Sequence, residues 1–214
     1  MLIAPSILNA NNLNLKPQIA QAIDAGITRF HIDIMDGHFV PNLSFGPQLV
    51  EDLKKNFSSV ELEIHLMSNN PKDLVPRFAD AGADLMELHY EAISEDDLNR
   101  WFDYLKAKNI KTSLVLNPDT NVNVINKFIP KLDQILLMSV HPGFGGQKFI
   151  PETENRVRDA NHIVNSKIPI EVDGGINDET AQVVTHAGAS ILVAGSFIFS
   201  HSNIAEQIKK LEEK

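Results

Sequence analysis

Two short segments of the chain carry imidazoles and carboxylates at matched positions. His31-Ile32-Asp33-Ile34-Met35-Asp36-Gly37 is one and Glu63-Ile64-His65-Leu66-Met67 is the other, with Asp173-Gly174-Gly175 downstream. If these segments are strands, alternate residues point to one side. His31, Asp33 and Met35 then share a face, and so do Glu63, His65 and Met67. Two His and two Asp can hold one divalent metal ion. Imidazole nitrogen with carboxylate oxygen suits Zn²⁺, Fe²⁺, Mn²⁺ or Co²⁺. The same carboxylates can also move protons. Alone, either His–Asp pair reads as a buried hydrogen bond. Four such groups brought to one place would be costly without a partner charge. That cost favours a metal on His31, Asp33, His65 and Asp173.

The elements that would bring these residues together alternate along the chain. Strands are expected at Ile3–Ile7, Arg29–Ile34, Val60–Leu66, Leu85–Leu88, Thr112–Leu116, Gln134–Met138, Ile168–Val172 and Ile191–Val193. Amphipathic stretches lie between them, among them Pro17–Ala25, Pro71–Ala81, Glu95–Lys108 and Asp178–Ala187. Pro17 and Pro71 stand in helix first turns. Asp24-Ala25-Gly26-Ile27, Asp80-Ala81-Gly82-Ala83 and His186-Ala187-Gly188-Ala189 are versions of one helix-stop and strand-start, 56 and 106 residues apart. Eight units in this length average about 27 residues, so the spacings fit two and four units of a (β/α)8 TIM barrel. An α/β fold with residues 1–214 forming one such catalytic barrel is expected, with an open doubly wound sheet as the alternative. In a barrel the strand C-termini meet at one mouth. There His31 and Asp33 of the second strand, His65 of the third and Asp173 of the seventh can converge. His89 and His141 also follow strands and are candidates to support the ligands. His38, His162, His186 and His201 read as surface residues. Glu63 and Glu171 fit either a structural polar layer or support for the ligands.

Composition narrows the classes. With 43% hydrophobic and 22% charged residues the chain is globular rather than disordered. Its net charge of −9 argues against nucleic acid or an anionic membrane as partner. It has no cysteine, which excludes disulfides and thiolate zinc sites. No signal-like leader opens the sequence and no apolar run is long enough for a bilayer, so a soluble cytoplasmic protein is expected. No lysine closes a strand, which argues against Schiff-base chemistry, and no Ser/Cys–His pair with an orienting acid stands out.

Three glycine-rich turns follow the sixth, seventh and eighth strands: Gly143-Phe144-Gly145-Gly146, Gly174-Gly175 and Gly195-Ser196. Glycine lets backbone N–H groups approach an anion closely. Loops at this end of such barrels frequently hold phosphate. Any one turn alone reads as a tight turn; the three together point to a phosphorylated substrate. A sugar phosphate anchored there would place its carbonyl and adjacent hydroxyl on the metal, which would stabilise the enediolate left when an α-proton departs. Asp33 and Asp173 enter from different strands. One can remove a proton from one face and the other return a proton to the opposite face, inverting a stereocentre. Met35, Met67 and Met138 stand near the same strand ends, either as ordinary core or as an apolar wall that keeps water away.

The residues also resemble those of the ribulose-phosphate 3-epimerase family over essentially the whole chain. The matching segments are Ala4-Pro5-Ser6-Ile7-Leu8, His31 to Asn42, His65-Leu66-Met67, Met138 to Gln147, Glu171 to Gly175 and Ala194-Gly195-Ser196. The resemblance implies a barrel of the ribulose-phosphate-binding type. It implies interconversion of D-ribulose 5-phosphate and D-xylulose 5-phosphate in the pentose phosphate pathway. It implies one divalent metal on His31, Asp33, His65 and Asp173, with Asp33 as proton acceptor and Asp173 as proton donor. It further implies substrate contacts from Ser6, His65, Gly143, Phe144, Gly145, Gly146, Asp173, Gly174, Gly175, Gly195 and Ser196, and a homo-oligomer. The chain departs from many members at His141, where Asn is common, and at Asn9-Ala10-Asn11, where Ser-Ala-Asp is common. The related D-allulose-6-phosphate 3-epimerases and a non-catalytic sugar-phosphate-binding barrel remain as alternatives.

Overall fold

The computed structural model describes residues 1–213. Eight strands alternate with helices: β1 (Leu2–Pro5), α1 (Leu15–Asp24), β2 (Arg29–Met35), α2 (Pro47–Asn56), β3 (Glu61–Met67), α3 (Pro71–Ala81), β4 (Leu85–His89), α4 (Glu95–Ala107), β5 (Lys111–Leu116), β6 (Gln134–Met138), α5 (Thr153–Val164), β7 (Ile170–Asp173), α6 (Asp178–Ala187), β8 (Ile191–Ala194), α7 (Ser196–Phe199) and α8 (Ile204–Glu212). All neighbouring strands in the order β1-β8-β7-β6-β5-β4-β3-β2 pair in parallel. A single parallel bridge between Ser6 and His31 joins the two ends of that order and closes the barrel beside the ligand cluster. The chain folds as a TIM barrel.

The repeat seen in the sequence marks real unit boundaries. Gly82 and Gly188 end α3 and α6 in the left-handed conformation, and Gly26 follows the end of α1 at φ +98°. These glycines precede β4, β8 and β2, which accounts for spacings of four and two units. Asn109 and Asn165 take the left-handed role after α4 and α5. Asparagine tolerates that conformation better than other non-glycine residues, so these units escape a search for glycine.

Seven of the eight strands differ from expectation by one or two residues at one or both ends, and three of these limits have a clear local reason. β1 stops at Pro5 because the chain turns at Ser6, whose Oγ accepts from the Leu8 N–H at 3.3 Å and caps a 3-10 turn. β3 begins at Glu61 because the Val60 N–H is committed to a turn, donating to Phe57 O. β7 begins at Ile170, after Pro169, which has no N–H for the ladder.

Both faces of these strands are buried, as expected for a parallel barrel, but the faces differ in chemistry. Phe30, Ile32 and Ile34 of β2, Leu62, Ile64 and Leu66 of β3, and Ile170 and Val172 of β7 join the apolar layer under the helices. The alternate residues point inward and many are polar. Arg29, His31 and Asp33 lie beside Glu61, Glu63 and His65 in the β2–β3 register. Below the mouth, the Arg29 guanidinium donates to Glu63 Oε2 at 3.1 Å, to Gln134 Oε1 at 2.8 Å and to Glu61 Oε2 at 2.7 and 2.9 Å. Gln134 in turn donates to Glu87 and Glu171. Glu63, Glu87 and Glu171 are fully buried, so Arg29 is the fixed cation of a carboxylate floor. Replacing Arg29 with Met strands Glu63 as an unpaired buried charge. That loss is expected to destabilise the fold by ~3–5 kcal/mol in urea unfolding. An unchanged midpoint would show that the floor needs no cation.

Candidate active site

The inward face of β2 and β3 supplies the first three ligand candidates. His31 Nε2 lies 3.1 Å from His65 Nδ1 and 3.5 Å from Asp33 Oδ1, and His65 Nδ1 lies 3.2 Å from Asp33 Oδ1. Asp173, at the end of β7, brings Oδ2 to 3.9 Å from His65 Nδ1. The four donors lie within 4.8 Å of one another. Neighbouring ligands on a tetrahedral ion bonded at 2.0–2.2 Å stand about 3.3 Å apart, so the spacings fit one small divalent ion.

The hydrogen bonds behind these atoms show what the cage lacks. His31 Nδ1 faces Glu63 Oε1 at 3.0 Å. A carboxylate can only accept, so the His31 hydrogen sits on Nδ1 and leaves Nε2 bare in the neutral ring. Asp33 Oδ2 accepts from Ser6 Oγ at 2.5 Å, which leaves Oδ1 for the cage. With both acids ionised and both rings neutral the cage is walled by lone pairs, so the donor set fits a metal. A second group, His31, Glu63, Glu87 and Glu171, is also compact. It is the floor already described, where Arg29 and the His31 N–H supply the positive partners.

Electrostatics separates the two aspartates. Burial alone would raise the Asp33 carboxyl, but the His31 and His65 rings hold it far below the carboxylate range. Burial, reinforced by Asp33 and opposed by His31, pushes Asp173 up to about 7. Burial works to lower the His31 pKa, yet Asp33 and Glu63 outweigh it and raise it well above its ordinary value. Burial carries His65 down to about 4 and lowers His89. In the floor, burial and Glu63 push Glu87 up to about 7 and Glu171 well above its usual range.

Asp33 and Asp173 open onto one pocket at the barrel mouth, with Met35, Met67 and Met138 on its walls. The three methionines are buried. Gly143, Phe144, Gly145 and Gly146, after β6, line the same pocket. So do Gly174 and Gly175 after β7, Gly195 and Ser196 after β8, and Ser6 after β1. β6, β7 and β8 are neighbours in the barrel, so the three glycine turns meet on one side. Their shape is fixed from outside. Asn42 donates to Gly143 O at 2.9 Å, and Gln147 donates to His141 O and Phe144 O at 2.7 and 2.9 Å. Ser139 Oγ lies 2.8 Å from Asp173 O and 2.6 Å from Gly174 O. Gly175, at φ +63°, passes so close to Phe149 that a Cβ there would sit 2.5 Å from its backbone nitrogen.

Some residues lie differently from the sequence reading. His65 stands behind the pocket wall with both ring nitrogens engaged, Nδ1 in the cage and Nε2 at 2.8 Å from His89 Nε2. His89 contacts a cage residue, at the position where the sequence allowed a supporting role. His141 does not: it is exposed, with Asp119 at 3.9 Å. Sequence reasoning missed Glu87, which completes the floor, and Glu91, whose Oε2 holds His89 Nδ1 at 3.2 Å. The strand period could have placed Glu87, which shares a face with Leu85 and His89 and alternates with Met86 and Leu88 of the apolar layer. Asn9 lines the pocket, and its Oδ1 comes within 2.5 Å of where a Cβ on Gly195 would lie. The Asn9 departure thus falls at the glycine turns and not at the cage.

The comparisons with known proteins agree with this geometry. The model of the ribulose-phosphate 3 epimerase family matches residues 2–199. The ribulose-phosphate 3-epimerase of Bacillus subtilis (strain 168) is 41% identical over 213 residues, covering 98% of this chain and 97% of that protein. The ribulose-phosphate 3-epimerase of Escherichia coli (strain K12) is 38% identical over 216 residues, covering 100% and 95%. Among solved structures, 3-hexulose-6-phosphate synthase from Salmonella typhimurium is similar with a TM-score of 0.74 at 14% identity, covering 100% of this chain and 97% of that one. At that identity the likeness is one of fold.

Metal binding to this cage must displace protons. His31 and Asp173 are both raised in the metal-free protein, so each holds its proton as pH approaches 7 from below. Zn²⁺ affinity is expected to rise from pH 5.5 to 7.5, by up to about tenfold per unit for each proton released. Competition titrations against a chromophoric chelator measure this; an affinity independent of pH would contradict it.

Proposed function

The chain belongs to the ribulose-phosphate 3-epimerase family and is an isomerase; from that membership we propose that it inverts C3 of D-ribulose 5-phosphate to give D-xylulose 5-phosphate, with one divalent metal and two opposed aspartates. The observation that carries this reading is the cage of four converging donors, two of which, Asp33 and Asp173, also face the pocket. His31 Nε2, His65 Nδ1, Asp33 Oδ1 and Asp173 Oδ2 would hold Zn²⁺, Fe²⁺, Mn²⁺ or Co²⁺. When bound, the metal supplies Lewis-acid stabilisation of negative charge on the ketose oxygens.

The protein's own groups do the rest. β2 and β7 stand three strands apart around the barrel, so Asp33 and Asp173 approach the pocket from separated walls. Asp33 takes the C3 proton on one face and Asp173 delivers a proton on the other; in the reverse direction the roles exchange. Ser6 Oγ, donating to Asp33 Oδ2, holds that carboxylate in its plane. The Gly143–Gly146, Gly174–Gly175 and Gly195–Ser196 turns anchor the phosphate with backbone N–H groups. Met35, Met67 and Met138 cover the reacting carbons and exclude water that would quench the carbanion. Residues lining this site come from β1, β2, β3, β6, β7 and β8 or the turns after them, which supports reading residues 1–214 as one catalytic domain.

Turnover in D₂O with reconstituted metal tests the reading. Deuterium is expected at C3 of both epimers, and chelation is expected to abolish turnover. Asp33→Asn and Asp173→Asn should each lower kcat by about 10²–10⁴-fold. In Asp173→Asn, exchange should persist at C3 of the epimer whose proton faces Asp33 while epimerisation stops. No C3 exchange with metal bound would overturn the proposal. Allulose 6-phosphate in the same assay should turn over more slowly than ribulose 5-phosphate; the reverse order would reassign the substrate.

A further inference from the structure

Glu91 lies two residues beyond β4 and touches none of the four cage residues, yet its hydrogen bonds run into the cage. Its Oε1 accepts from the Asn117 N–H at 2.8 Å and from Thr120 Oγ1, and its Oε2 lies 3.2 Å from His89 Nδ1. The segment supplying those donors is fixed by Arg156, which donates to Asn117 O at 2.6 Å, to Thr120 O at 3.2 Å and to Met138 O at 3.0 Å. A carboxylate has no hydrogen to offer, so His89 must carry its hydrogen on Nδ1. The Nε2 of the neutral His89 ring is then bare. That atom stands 2.8 Å from His65 Nε2. The ring centroids are 5.0 Å apart and the planes within 24° of parallel, as for two imidazoles meeting edge to edge. Only one hydrogen fits between two nitrogens at that distance. With His89 Nε2 bare, His65 must supply it, which leaves His65 Nδ1 bare, and Nδ1 is the atom that faces Asp33 and His31 in the cage.

We propose that Glu91 is a positioning residue which, through His89, sets the tautomer of His65 and so makes its cage-facing nitrogen available to a metal ion. The proposal rests on the reading of the cage as a metal site. It assigns the pair a purpose beyond packing: one carboxylate fixes the hydrogen on two successive rings. The relay has a sharp consequence for an isosteric change. In Glu91→Gln the amide oxygen must accept from Asn117 and Thr120, so the amide NH₂ faces His89 Nδ1. His89 then carries its hydrogen on Nε2, His65 Nε2 must be bare, and the His65 hydrogen moves to Nδ1, inside the cage.

The test uses the full chain, Zn²⁺ as probe and two readouts. Long-range ¹H–¹⁵N spectra of the metal-free protein should show His65 with its hydrogen on Nε2 in the parent and on Nδ1 in Glu91→Gln. Zn²⁺ affinity by chelator competition should fall 10–100-fold in Glu91→Gln. Thr120→Val, which removes one bond to Glu91 Oε1 without changing what His89 faces, should bind Zn²⁺ as the parent does. Equal Zn²⁺ affinity in parent and Glu91→Gln, or a parent spectrum with the His65 hydrogen on Nδ1, overturns the proposal. An equal loss in Thr120→Val would also overturn it, since anchoring of the 117–120 segment would then be the cause. If the parent itself fails to bind Zn²⁺, the metal-site reading is what fails.

Discussion

The hydrogen bond between His31 Nδ1 and Glu63 is the contact on which the site depends. It joins two polar layers of opposite demand. Below it, three buried glutamates share one guanidinium, one amide and each other's protons. Above it, four donors present lone pairs to one point. His31 serves both layers, giving its N–H downward and its bare nitrogen upward. An interior of this kind would be expensive in an apolar core. It is tolerated because Arg29 and His31 face the floor carboxylates and because the strands that carry it bury their other face in a continuous apolar layer.

The same arrangement gives two acids of one type different protonation. Asp33 is crowded by imidazoles and a Ser6 hydroxyl, and so stays ionised. Asp173, deprived of water by burial and repelled by Asp33, is pushed up to about 7 and so retains a proton near neutrality. Acid and base roles assigned to chemically identical side chains commonly rest on such a difference in surroundings. The methionine wall and the glycine turns then define where a substrate with an anionic end and a reactive middle can lie.

Much of this was legible in the sequence because it follows short periods. The two-residue alternation placed His31 with Asp33, and the glycine stops spaced the units of the barrel. The limits of β1, β3 and β7 were less legible because they turn on the cap made by Ser6, the Val60 N–H committed to a turn and the N–H that Pro169 lacks. The floor was hidden for another reason. Arg29 and Gln134 are 105 residues apart, and nothing in either neighbourhood signals that the two side chains meet. Glu91 was hidden because it lies just past a strand, where a polar residue reads as a solvated loop position. His141 looked equivalent to His89 by position, but the chain swings outward after β6 and leaves its ring in solvent.

Anomalous diffraction from crystals grown with Zn²⁺ or Mn²⁺ tests the central claim most directly. The account requires one strong peak about 2.0–2.2 Å from His31 Nε2, His65 Nδ1, Asp33 and Asp173. A peak among Glu63, Glu87 and Glu171 instead, or none in a crystal of active protein, would contradict it.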